Sequence, residues 1–174
     1  MPYLYFETKR LRVCQWGLED IPALAEIMGD SRVHIYTGDK CWTAERAEKY
    51  IRFMLDKDFR TLELFHGACI LKESGRLVGL VGLNPYLPKQ PELEWQLGVP
   101  FWGKGYATEV GRAAVRKAFD TTNITGIYGM ANPENKASMR VLEKIGMSRL
   151  GLREFRGHMD MFYHIDRLSH PDAE

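Results

Sequence analysis

The chain has 174 residues, 45% of them hydrophobic and 27% charged, which places it with globular domains and excludes disordered or fibrous chains. Twenty-four Lys and Arg against 23 Asp and Glu leave a net charge of +1, which argues against wrapping nucleic acid or lying on an anionic membrane.

Arg10 to Cys14 alternates with period two and predicts a first strand, followed by a helix over roughly Asp20 to Met28. Thr43 reads as the N-cap of a second helix with Ala47, Tyr50, Ile51, Met54 and Leu55 on one face. Gly67–Leu71 and Leu77–Leu83 flank the polar turn Lys72–Arg76 and predict an antiparallel hairpin. In Glu92–Val99, Leu93, Trp95, Leu97 and Val99 fall on one face and Glu92, Glu94 and Gln96 on the other.

A glycine loop, Trp102 to Ala107, then opens a third helix whose stripe of Ala107, Val110, Gly111, Ala114 and Ala118 is small enough to lie close to a sheet. Ile124–Met130 reads as a strand. Asn132-Pro133 reads as an N-cap and first residue of a fourth helix that ends at Gly146, with Ser138 on its inward stripe beside Val141, Leu142 and Ile145. A last strand near Met161–Asp166 precedes a polar tail, 169–174, expected to fray. The order β-α-α-β-β-β-α-β-α-β predicts a mixed α+β domain spanning 1–168.

Nothing in the chain has the length of a membrane span, because Gly79 and Gly82 interrupt the longest apolar run. Met1 to Glu7 lacks the pattern of a secretory signal, and Cys14, Cys41 and Cys69 have neither disulfide nor zinc spacing. The expectation is a cytoplasmic protein without a metal. His158 and Asp160 are too close in sequence to support a catalytic triad.

A glycine loop before a helix offers unpaired amides and the positive end of the helix dipole to a phosphate. The dinucleotide fingerprint does not fit, since no acidic residue closes the next strand. Gly98–Lys104 matches G-x-x-x-x-G-K, but Gly105 stands where a P-loop needs Ser or Thr for magnesium. Phe101-Trp102-Gly103-Lys104-Gly105-Tyr106-Ala107-Thr108-Glu109 instead resembles the acetyl-coenzyme A (acetyl-CoA) binding motif of the GNAT N-acetyltransferase superfamily, in its RimJ/RimL-like branch. Trp102 departs from the superfamily's usual Arg or Gln. Asn135 to Met147 is similar to the family's Asn-x-x-Ser helix, and Glu7–Val13, Leu18–Asp20 and the hairpin resemble the branch's opening.

The resemblance implies a mostly antiparallel twisted sheet of six to seven strands, flanked by four helices, with a splayed pair of strands holding the cofactor. It implies acetyl transfer from acetyl-CoA to a primary amine by direct attack, without an acyl-enzyme. Main-chain groups of Leu97, Gly98 and Val99 would pair with the pantetheine arm. Trp102, Gly103, Lys104, Gly105, Tyr106, Ala107 and Thr108 would form the pyrophosphate loop. Asn132, Asn135 and Arg140 would complete the cofactor contacts, and Ser138 would hydrogen-bond the sulfur.

A serine hydroxyl is too weak an acid to hand a proton to a thiolate, so Ser138 is expected to polarise rather than donate; its alternative is a bond to its own i−4 carbonyl. An amine of pKa near ~10 needs a base at neutral pH, for which Glu92 and Glu94 are the candidates, unless both belong to a solvated strand face. The cations at Lys136, Arg140 and Lys144, and at Arg112 and Arg116, either meet the cofactor's 3′-phosphate or form solvated helix faces. Trp16, Tyr36, Trp42, Tyr86 and Trp95 either line an acceptor pocket or belong to the core. The acceptor is expected to be a protein N-terminal α-amine or a small amine such as a polyamine. No nucleic-acid or membrane partner is expected, and the chain is read as a monomer or homodimer. The alternative reading is a non-catalytic module that binds and senses acyl-CoA.

Overall fold

The computed structural model describes residues 2–57, 64–155 and 157–169. Strands β1 (Leu4–Glu7) and β2 (Leu11–Cys14) lead to helices α1 (Ile21–Gly29) and α2 (Ala44–Asp56). Strands β3 (His66–Leu71), β4 (Leu77–Leu87) and β5 (Gln90–Leu97) follow as a meander. Helix α3 (Tyr106–Thr121), β6 (Gly126–Ala131), α4 (Lys136–Ile145), β7 (Ser148–Phe155) and β8 (His158–Asp166) complete the order. The eight strands form one sheet in the order β1-β2-β3-β4-β5-β6-β8-β7.

All neighbours in the sheet are antiparallel except β5 and β6. These two run parallel and register at a single pair, Glu92 with Tyr128, after which they diverge. The expected splay therefore lies at the carboxyl ends of β5 and β6. Both strands lead from those ends into helices, so the N-termini of α3 and α4 flank the opening.

Each face of the sheet carries its own core. On one face Leu93, Leu97, Val81 and Leu83 pack with Val110, Ala114, Leu142 and Ile145 of α3 and α4. On the other, Ala68 and Leu80 pack with Leu24, Met28, Ala47 and Ile51 of α1 and α2. The predicted α3 stripe is buried, and an added Cβ at Gly111 would lie 2.4 Å from Ile145 Cδ1, so the small residues bring α3 onto α4 as well as onto the sheet. Thr43 caps α2, accepting from Arg46 N at 3.2 Å.

Two strands lack the expected pattern. β1 and β7 are the sheet's edges, and β7 is exposed along most of its length, so neither shows an inward and outward alternation. The start of α4 also differs from expectation. Asn132 Oδ1 accepts from Glu134 N at 2.9 Å and closes a turn, while the helix cap is Asn135, whose Oδ1 accepts from Ser138 N at 3.0 Å. Pro133 therefore sits in the turn before the helix. At the other end Gly146 ends α4 with φ 105°, as expected. The predicted tail falls partly in the last helical turn, Arg167–Ser169, and 170–174 lies outside the described residues.

Candidate active site

The opening is built from main chain. Gly98 N donates to Val78 O at 2.9 Å and continues a ladder in which Gln96 faces Leu80 and Glu94 faces Gly82. Hydrogen-bonded pairs alternate along an antiparallel ladder, so the amides and carbonyls of Leu93, Trp95 and Leu97 point away from β4 toward β6. Where β6 has diverged they face the opening.

Of the three residues expected to line it, Leu97 does so, although its carbonyl already accepts from Trp102 Nε1 at 2.7 Å. The Gly98 amide is committed to Val78, and its carbonyl accepts from Phe101 N at 2.9 Å. Val99 opens a helical turn, Val99–Phe101, so its amide has no carbonyl within that turn. Trp95 is the main-chain contributor that the sequence did not mark.

The loop Trp102 to Gly105 needs its glycines: Gly103 and Gly105 have φ of 72° and 79°, a region that costs an L-residue ~1–2 kcal/mol. This conformation aims the start of α3 at the opening. Glu109 N is the first helical amide to find a carbonyl, Gly105 O at 3.0 Å, so those of Tyr106, Ala107 and Thr108 face outward at the positive end of the helix.

A clamp fixes this loop from a distant part of the chain. Glu109 Oε1 accepts from Thr8 Oγ1 at 2.6 Å and from Arg10 N at 2.9 Å, and its Oε2 accepts from Arg10 Nε at 2.6 Å. Arg10 also donates to Lys104 O at 3.0 Å and lies 4.4 Å over the Tyr106 ring. Burial pushes the Glu109 carboxyl up, but the bonds from Thr8 and Arg10 outweigh it and leave the group below its ordinary value. It is ionised at neutral pH, with Arg10 neutralising a charge that would otherwise oppose an anion.

A cleft of about 540 Å³ beside the helix start is lined by Arg10, Gly105, Thr108, Glu109, Arg112 and Lys144. Of the two expected cationic stripes, it takes one residue from each. Arg112 also donates to Lys144 O at 2.6 Å and closes the end of α4. Arg140 and Lys136 instead bond carbonyls of their own helix start and its preceding turn, Lys136 O and Pro133 O, on the exposed side.

Asn135 spends its side-chain oxygen on the helix cap, which leaves Nδ2 as the donor of that side chain. Ser138 is half-buried, and among the described residues its hydroxyl makes no bond to the i−4 carbonyl, whereas Thr121 and Thr122 both do so at 2.7 Å. Glu92 and Glu94 share the sheet face that carries α1 and α2, with Glu92 where β5 and β6 part. Asn84 Nδ2 donates to Glu94 Oε2, and His66, a residue that the sequence did not mark, has its Nε2 at 3.6 Å from the same oxygen. Trp16 is buried core, Trp95 packs on the opposite face, and Tyr36 is exposed. Tyr86 stacks edge-on to Tyr128 at 5.0 Å and to Phe155 at 5.4 Å, beyond the α1–α2 core.

A sheet forked between two parallel strands, with two helix N-termini at its open end and acids on one face, is the architecture of this chain. The sequence profile of the acetyltransferase (GNAT) domain matches residues 10–148, and the chain belongs to that family. It is an acetyl-CoA-dependent N-acetyltransferase. An N-acetyltransferase of Bacillus subtilis (strain 168), YnaD, is 28% identical over 149 residues, 85% of each chain. An acetyltransferase (GNAT family) from Bacillus anthracis superposes with a TM-score of 0.82 at 26% identity, covering 94% of this chain and 98% of that one. Spermidine N-acetyltransferase from Vibrio cholerae, solved with CoA and spermine, shares the fold at 17% identity and a TM-score of 0.75, over 91% and 96% of the two chains.

Among the described residues no group of three or more His, Cys, Asp or Glu could hold a metal ion, and no helix is long and apolar enough to cross a membrane. Arg10→Ala is expected to raise the KM for acetyl-CoA on the order of tenfold, ~1.4 kcal/mol, at unchanged kcat. Initial rates at varied acetyl-CoA measure this, and an unchanged KM removes Arg10 from the support of the loop.

Proposed function

We propose that the protein transfers the acetyl group of acetyl-CoA to a primary amine by direct attack, without an acyl-enzyme, in the cytoplasm. The observation that supports this reading is the parting of β5 and β6, with the N-termini of α3 and α4 at its open end and Glu92 and Glu94 on one face of β5. The donor is assigned to the helix N-termini and the acceptor to the acidic face, so that both can be bound at once, as a single displacement requires.

The amides at Lys104 to Thr108 would hold the pyrophosphate, supported by Gly103 and by Trp102, which braces the loop on Leu97. Arg10, Arg112 and Lys144 add positive charge beside them. Main-chain groups of Trp95 and Leu97, with the Asn135 Nδ2 donor, would pair with the pantetheine arm. The Val99 amide is a donor for developing oxyanion charge, a role typically worth ~3 to 4 kcal/mol. Acetyl-CoA supplies an acyl group activated as a thioester. Ser138 donates a hydrogen bond toward its sulfur, a reading supported by a hydroxyl that is not spent on its own helix. Asn132 supports the turn before α4, and Arg140 lies on the outer side of that helix, so neither is proposed to touch the donor.

Glu94 is proposed as the base that takes a proton from the acceptor ammonium, and Glu92 as the charge that holds the ammonium at the fork. The aromatic wall of Tyr86 and Tyr128 borders the same face and suits the alkyl part of a small amine or the first residue of a peptide. A panel of spermidine, an alanine-headed peptide, free amino acids and an aminoglycoside tests the reading through release of the CoA thiol. Turnover on one of them is expected; tight binding of acetyl-CoA with no turnover on any amine would sink it.

A further inference from the structure

The candidate base does not stand alone on its strand. His66 on β3, Gly82 on β4 and Glu94 on β5 occupy one row across three strands, paired in register. Residues two strands apart lie roughly 10 Å from each other, too far for their side chains to meet over an ordinary intervening residue. Here the intervening residue is glycine. A Cβ at position 82 would lie 2.2 Å from His66 Cδ2, so the imidazole occupies the place a side chain would fill and reaches over β4 to Glu94. His66 is 2% exposed, whereas the Glu94 side chain is 36% exposed, so the row runs from the interior to the opening.

Tyr50 of α2 closes the row from the side, its hydroxyl 3.2 Å from His66 Nδ1 and 3.5 Å from Nε2. Trp16 and Trp42 pack edge-on and tilted against its ring at 5.9 and 5.0 Å. Burial, and then the charge of Glu94, push the Tyr50 phenol well above its ordinary pKa, so it stays protonated and has a hydrogen to give. Given to the nearer Nδ1, it leaves the imidazole proton on Nε2, facing the carboxylate.

We propose that His66 is a positioning residue for deprotonation of the acceptor, its Nε2–H turned toward the Glu94 carboxylate and holding it in place. This rests on the reading of Glu94 as the base. Of the two protons an ammonium loses in becoming an amide, one ends on the departing sulfur. The other leaves through Glu94, whose side chain is 36% exposed and passes it to water while the product departs, so that Glu94 returns to the carboxylate before the next acceptor arrives. The C–N bond forms, the C–S bond breaks, and no oxidant or further reactant is needed.

The test is a double-mutant cycle on the intact chain, with the acceptor that turns over in the amine panel. His66→Leu is expected to lower kcat on the order of 10- to 100-fold with the KM for acetyl-CoA unchanged. His66→Gln, whose carboxamide can still donate to Glu94, is expected to recover part of that loss and also covers the case in which the leucine variant fails to fold. The double variant with Glu94→Gln should be no slower than Glu94→Gln alone, because a residue that acts through another adds nothing once its partner is gone. Long-range ¹H–¹⁵N spectra should place the His66 proton on Nε2. A wild-type kcat in both His66 variants, losses that multiply with that of Glu94→Gln, or a proton on Nδ1 each overturn the role of His66 and leave Glu94 as the base. A wild-type kcat in Glu94→Gln overturns both.

Discussion

Glu94→Gln is expected to lower kcat by about 10²- to 10⁴-fold at neutral pH, the range in which a positioned general base contributes. An amine with a pKa near ~10 is about one part in a thousand unprotonated at pH 7, so an enzyme that cannot remove the proton works on a trace of its substrate. The loss should therefore shrink as pH rises toward 10, where the free amine becomes abundant without help. The KM for acetyl-CoA should not move, because the main-chain groups proposed to pair with the donor belong to Trp95 and Leu97, on the edge of β5 that points away from β4, and not to the acidic face. Glu92→Gln, at the fork where β5 registers with Tyr128, is expected to raise the KM for the amine more than it lowers kcat. Steady-state rates between roughly pH 6 and pH 10, over which the free amine becomes abundant, measure both variants. A Glu94→Gln enzyme with a pH-independent loss would be inconsistent with a base, and the reverse ranking would exchange the roles of the two acids.

Gly79→Ala is expected to be the most damaging single methyl group in the sheet. Gly79 of β4 pairs with Leu97, and a Cβ there would lie 2.0 Å from Gln96 O and 2.8 Å from Leu97 Cα. Both are main-chain atoms, so no rotamer change relieves the contact and β5 must move off β4 at its carboxyl end. Overpacking typically costs ~1–3 kcal/mol, and a clash with a strand backbone belongs at the upper end. For a chain of this size that corresponds to a fall in Tm of roughly 6–12 °C. The displaced segment carries the main-chain edge at Leu97, so the KM for acetyl-CoA should rise in the same variant. Thermal melting and initial rates report the two effects; a Tm within about 2 °C of the parent would mean that β5 is not held where the structure has it.

The helices were legible because each has one buried face and so writes a 3.6-residue pattern, and β5 because it separates an acidic face from an apolar one. The glycine loop was legible from chemistry, since its glycines fall between a strand and a helix where unpaired amides meet the positive end of the helix dipole. The edges of the sheet were not. β1 and β7 have little to bury, and a strand without a buried face leaves no alternation. Asn132 and Asn135 are equally good caps by type, and only the turn closed by Glu134 decides between them.

His66 and Arg10 show a different limit. His66 stands in an apolar run and Arg10 in an alternating strand, where each looks like an ordinary member of its element. Their partners lie two strands away and 99 residues away in the chain, respectively. For His66 no count from the hairpin turns reaches Glu94, because each hairpin carries a register shift, between Cys69 and Ile70 and between Asn84 and Leu87. For Arg10 no local count reaches Glu109.

The clamp from Thr8 and Arg10 to Glu109 joins the start of the chain to the turn that opens α3. During synthesis Thr8 and Arg10 emerge about 100 residues ahead of Glu109, so the clamp cannot close until α3 has begun to form. Closing so long a loop is entropically unfavourable, and a ligand that holds the closed form repays part of that loss. At a ligand concentration of 100 Kd the gain is ~2.7 kcal/mol. Saturating acetyl-CoA is therefore expected to slow proteolysis of the turn between β1 and β2 that carries Thr8 and Arg10.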